Sequence, residues 1–306
     1  MADRNIDAHV EVPQYVNILA ATICSLMVHG YIIRGIVRKY SVLNQYQNLL
    51  VIQSSVYIIG SILRFCVNRV ITTDMHEVAG YHFIHIAPWI QTTLDFMLAF
   101  AEGTEGVTLM VFNVHRLLLC IRGHLIKIFY VVFIPISLLF VIFYAYVNTF
   151  YPDSSLYLCY VFFAFVSSII VICYFILRRH FKNNGYSENV RRMQNKLSNG
   201  LLAQIFIHLL ALALVGIGSP VVELLSWVFA VEGTGTVFVG SIYMIVVNMI
   251  FMWYPAAIGT TIMWSISGFL TGPAQKRSKS NISIVDLATV RRCTLEDQLA
   301  RFKSKY

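Results

Sequence analysis

The chain reads as an all-α membrane protein, a seven-helix bundle with its N-terminus outside and its C-terminus inside. Three observations predict this fold. Of its 306 residues 58% are hydrophobic and only 12% charged, about half the ~25% charge of an ordinary soluble domain. Apolar residues gather into seven runs, each near or above the ~20 residues that a spanning helix needs. Finally, the basic residues alternate with those runs in a way that sets a sidedness.

In order, the runs cover about residues 13–33, 44–66, 86–116, 128–147, 156–177, 197–229 and 236–264. Backbone polar groups have no water to bond in hydrocarbon, so each run must satisfy its own as a helix. The first run is too long, and too weakly basic at its start, for a cleaved signal peptide. Domain organisation follows: an outer N-terminus over 1–12, the helical domain over 13–264, and a polar inner tail over 265–306.

Twenty of the 23 Lys and Arg fall after the first, third, fifth and seventh runs. Arg4, Arg64 and Arg69 are the remainder, while acidic residues such as Asp3, Asp7, Glu11, Asp74 and Glu77 mark the opposite side. Basic loops stay cytoplasmic, which puts the N-terminus outside. The net charge of +8 is therefore topological and predicts no nucleic-acid partner, because no single solvated surface carries it. The largest inner loop, Arg178 to Lys196, is basic and polar. Outer loops are short, so a binding site has to lie between the helices.

The third run carries the chemistry. From Pro88 to Arg116 it spans roughly 42 Å, longer than the ~30 Å hydrocarbon core, and it bears Asp95, Glu102 and Glu105 on one broad face. A carboxylate in lipid costs several kcal/mol, so this run belongs inside the bundle. Counted from Arg116, Glu105 lies roughly 16 Å deep, Glu102 roughly 21 Å and Asp95 roughly 32 Å. Asp95 is expected at the outer mouth, level with Arg64. Glu102 and Glu105 read either as packing partners or as cavity-lining residues that bond His208 across the bundle or touch a ligand. Arg116, beside His115, stands at the inner helix end. There it either snorkels to the headgroups or holds the inner ends together until a partner enters.

Pro220 and Pro255 lack an amide donor, so the sixth and seventh helices should kink at them, as hinges or as simple packing features. Cys66 and Cys159 both fall near the outer surface and form a candidate disulfide. The six cysteines show no metal spacing, and neither a cofactor motif nor an enzymatic nucleophile and base appears. A retinal-binding protein is excluded by residues 236–264, which contain no lysine for a Schiff base.

Three stretches carry a family resemblance: Asn113-Val114-His115-Arg116-Leu117, Leu201-Leu202-Ala203-Gln204-Ile205-Phe206-Ile207-His208, and Trp253-Tyr254-Pro255-Ala256-Ala257-Ile258-Gly259. In this order and at these depths the chain resembles the nematode serpentine seven-helix chemoreceptors over residues 10–270. It departs from their pattern at Leu117 (tyrosine), His208 (proline) and Ile258-Gly259 (Asp-Pro), and it has no cysteine at the outer start of the third run. The resemblance implies a multi-pass receptor in the plasma membrane, expected in sensory cilia, for a small-molecule ligand. It further implies coupling to a heterotrimeric G protein through Arg116, His115 and the basic Arg191, Arg192 and Lys196. The alternative class is a ligand-gated channel or a transporter, drawing on the acidic face of the third run. Oligomeric state is left open.

Overall fold

The computed structural model describes residues 3–38, 47–71, 77–79, 87–183, 188–229 and 234–270. Nearly all of them are helical. Helix α1 runs Asp3–Arg38, α2 Gln47–Val67, α3 Pro88–Ile121, α4 Leu125–Phe150 and α5 Pro152–Asn183. After these come α6 Glu188–Gly216, α7 Gly218–Val228, α8 Thr234–Met252 and α9 Tyr254–Leu270. Seven helical segments are long and apolar enough to cross a membrane: Glu11–Arg38, Gln47–Val67, Pro88–Ile121, Leu125–Phe150, Tyr157–Asn183, Gln194–Leu214 and Gly235–Ile266. These match the seven apolar runs one for one, as expected of a multi-pass membrane protein.

Helix ends differ from the apolar runs where polar sequence continues the helix. The segment 1–12, ahead of the first apolar run, is helical from Asp3 onward. The loop expected over Arg178 to Lys196 is mostly helix, since α5 persists to Asn183 and α6 starts at Glu188. Lys and Arg have good helix propensity, and a helix is not obliged to stop where its apolar face stops. Between α2 and α3 a two-stranded hairpin pairs β1 Arg69–Ile71 antiparallel with β2 Glu77–Ala79, in the register Arg69 opposite Ala79. Asn68 joins α2 to β1 in the left-handed region at φ 43°, a conformation that asparagine tolerates better than most side chains.

The sixth run is not one helix. It breaks at Ile217, three residues before Pro220, because proline withholds the amide that would bond Gly216 and crowds the preceding turn. Beyond the break, α7 packs chiefly on α8. Pro255 acts likewise: Trp253 closes α8 through a short turn to Ile250 (3.0 Å), and α9 begins at Tyr254.

Helix α3 packs against α2, α4 and α5, and α9 packs against α1 and α6. A continuous core joins Ile36, Tyr57, Phe112, Ile170, Leu201 and Ile262. Large apolar side chains also cover the exterior, among them Val131, Leu139, Phe165, Phe206 and Trp227, a surface suited to lipid and far too apolar for water. Small residues set the closest helix approaches, as usual in membrane bundles. A Cβ on Gly200 of α6 would stand 2.7 Å from Ser265 Cβ of α9. Gly200→Ala should therefore lower stability by about 1–3 kcal/mol. Adding Ser265→Gly in the same chain should restore most of the loss, both read as melting temperature in detergent.

Candidate functional site

The carboxylates of α3 are bound to arginines. Arg64 of α2 is 5% exposed and reaches Glu105 and Glu102 at 3.4 and 3.3 Å. Its Nη1 and Nη2 both donate to Glu105, and Nη2 also donates to Glu102. Glu105 sits hard against the α2 backbone, where a Cβ on Gly60 would lie 2.6 Å from its Oε1. Only glycine leaves room for a carboxylate at that spot. Arg64 is thus level with Glu102 and Glu105, and not with Asp95 as expected from chain position. Asp95 instead pairs with Arg69 of the hairpin at 2.8 Å. The cause is that a guanidinium buried without a carboxylate in reach would be strongly destabilising.

His208 does not bond either glutamate. Its Nδ1 donates to the Gln204 carbonyl (2.8 Å), so its Nε2 is left to accept the Tyr254 hydroxyl. Arg64 lies over the Tyr254 ring at 5.8 Å, a cation–π contact that brings α9 into the same cluster. One turn inward, Gln53 Nε2 donates to Gln204 Oε1 at 2.8 Å. Polar bonds thereby link α2, α3, α6 and α9 through the middle of the bundle.

A cavity of about 60 Å³ opens beside this cluster, lined by Arg64, Glu102, Glu105, Phe163, His208 and Tyr254 together with Tyr144 and Cys159. Candidate ligand residues Glu102, Glu105 and His208 therefore do share one site, and Asp95 stands apart from it. The expected Cys66–Cys159 bridge is absent, and both thiols are free. Cys159 faces inward, accepting from the Tyr144 hydroxyl at 3.6 Å. Cys66 belongs to α2, which packs on α1 and α3, whereas α5 packs on α3, α4 and α6.

At the opposite end of α3, Arg116 is 1% exposed. It does not snorkel. Its Nη2 donates to Gln194 Oε1 at 2.8 Å, to Ser198 Oγ at 3.1 Å and to the Gln194 carbonyl at 3.4 Å, all on α6. His115 Nδ1 bonds the Tyr130 hydroxyl of α4 at 3.0 Å. Lys196 lies over the Trp264 ring at 5.4 Å, and beside it Arg192 and Glu188 rim a cleft of about 380 Å³. The side chain of Arg191 lies outside the described residues. Pro220 is exposed beyond the α6 break, and the Pro255 carbonyl accepts from His29 Nε2 of α1 at 3.0 Å.

Sequence reasoning missed Gln194, Ser198, Tyr144 and Tyr254 as site residues. For Arg64 a signal was present, since an arginine inside an apolar run requires a buried partner. Gln194 and Ser198, as neutral residues in a polar stretch, carried no such mark. No protein-family model matches this chain, and no curated protein matches it.

Removing Arg64 leaves Glu105 buried and unpaired. Arg64→Ala should cost about 3–5 kcal/mol, and Glu105→Gln in the same chain should recover part of it. Asp95→Asn, at a half-exposed rim pair, should cost about 1 kcal/mol or less. Thermal melts of the three variants in detergent check the order.

Proposed function

We propose that this protein is a seven-helix chemosensory receptor that binds a small molecule between its helices and activates a heterotrimeric G protein. The observation that carries the reading is the Arg116 clasp. A buried arginine at the end of the central helix holds α6 through Gln194 and Ser198, at the end of the bundle where Arg192 and Lys196 also lie. Gln194 and Ser198 are neutral, so their bonds to Arg116 are a restraint that a ligand's binding energy can release. Parting α3 from α6 would expose the guanidinium and a basic helix end to an acidic or polar protein surface. The resemblance to nematode serpentine chemoreceptors agrees with this arrangement, and implies the plasma membrane, in sensory cilia, with the N-terminus outside.

A channel or transporter would draw on the carboxylates of α3. Each of the three is bound to an arginine, an arrangement better suited to holding helices than to passing ions.

Gln194→Ala with Ser198→Ala loosens the clasp and should raise ligand-independent nucleotide exchange on the cognate G protein by about fivefold or more, the population shift expected from about 1 kcal/mol. Arg116→Ala should abolish exchange while surface expression persists. Exchange unchanged in both variants would remove the basis for the receptor reading.

A further inference from the structure

The central cavity has a chemical character that goes beyond the presence of a binding site. We infer that it takes a small protonated amine, with Glu102 as the counter-ion, an inference that rests on the receptor reading of that cavity.

Charge sets the sign of the ligand. The walls carry one cation, Arg64, against two carboxylates, Glu102 and Glu105. His208 adds neither a free donor nor a free acceptor, because Gln204 and Tyr254 take both its nitrogens. Glu105 takes three of the four bonds that Arg64 gives and is buried against Gly60. Glu102 takes only one, through Oε1, and its side chain is 30% exposed and lines the cavity. An anion here would be a third negative charge around one guanidinium. A cation balances the site.

The cluster is also slack. Charge-assisted bonds between guanidinium and carboxylate ordinarily measure about 2.7–2.9 Å, and the rim pair Arg69–Asp95 reaches 2.8 Å. All four bonds of Arg64 measure 3.3–3.4 Å, and its buried Nε has no partner among the described residues. The groups are held apart around a space they do not close. That space is small, about 60 Å³, against the 300–1,000 Å³ of drug-sized sites. It suits a compact head of a few heavy atoms. The aromatic walls, Tyr144, Phe163, Phe251 and Tyr254, offer π faces that favour an organic cation over an inorganic one. An alkylamine is protonated at neutral pH, as lysine is, and its ammonium can donate to Glu102 while its alkyl part packs on those rings.

The test uses the purified full-length chain in detergent at neutral pH and fixed ionic strength. Its melting temperature is followed against n-butylamine, n-butanol, sodium butyrate and added sodium chloride. A concentration-dependent rise with butylamine alone is expected, because a ligand that binds only the folded state stabilises it. Glu102→Gln should weaken the apparent affinity about tenfold or more, whereas Asp95→Asn, outside the cavity, should leave it unchanged. Equal rises with butanol, butyrate or sodium chloride would overturn the inference, as would an amine effect that survives Glu102→Gln or no rise with any compound. Each of those failures leaves the receptor reading to the nucleotide-exchange assay, which uses the Arg116 clasp and no ligand.

Discussion

A helix that carries Glu102 and Glu105 through an apolar bundle must bring its own opposite charge into the core, and Arg64 is that charge. The ion cluster fixes the α2–α3 register in a way that apolar packing alone would not, since leucines and isoleucines can slide by a turn at small cost. Gly60 shows how closely the two helices were required to meet, because any side chain there would occupy the position of the Glu105 carboxylate. From this cluster the rest of the interior follows. Arg64 covers the Tyr254 ring, Tyr254 donates to His208, and His208 bonds its own helix at Gln204, which accepts from Gln53. Four spans are thereby joined through side chains that have no water to turn to.

The two arginines of the interior differ in a way that matters for function. Arg64 faces carboxylates and is expensive to uncover, because separation would leave opposite charges stranded in a dry core. Arg116 donates to an amide, a hydroxyl and a backbone carbonyl of α6, hydrogen bonds to a charged group and not ion pairs. The break at Ile217 falls beyond this contact, between α6 and α7.

The fold was largely legible because a bilayer imposes a length and a composition on every span. Seven runs predicted seven spanning segments, and the errors were mostly at ends, where Arg178, Arg179 and Lys182 extend α5 past the point at which hydropathy falls. Site residues were legible only so far as charge marked them. Glu102, Glu105 and Arg116 stood out because an ionisable group in an apolar run demands an explanation. Arg64 stood out equally, but chain position placed it at the rim, and only the packing of α2 on α3 shows its true depth. Gln194, Ser198 and Tyr144 were invisible for the opposite reason: polar or aromatic residues of ordinary kind, they acquire meaning from the helix opposite. The Cys66–Cys159 pairing failed for the same cause, since level along the membrane normal says nothing about which face of a helix a thiol occupies.

A cavity beside a slack ion cluster is a sensitive place to bind a ligand. A ligand shifts a conformational equilibrium only by its difference in affinity between two states, and a compact amine has few contacts with which to generate one. Electrostatics supplies what area cannot. Were an ammonium to take Glu102, Arg64 would keep Glu105 as its sole anion, and the guanidinium that lies over Tyr254 would be free to settle differently on that ring. Tyr254 is the donor to His208, and His208 belongs to α6, the helix that Arg116 holds at its far end. On the receptor reading, a change in charge at Glu102 would reach α6, the helix that Arg116 holds, through Arg64, Tyr254 and His208.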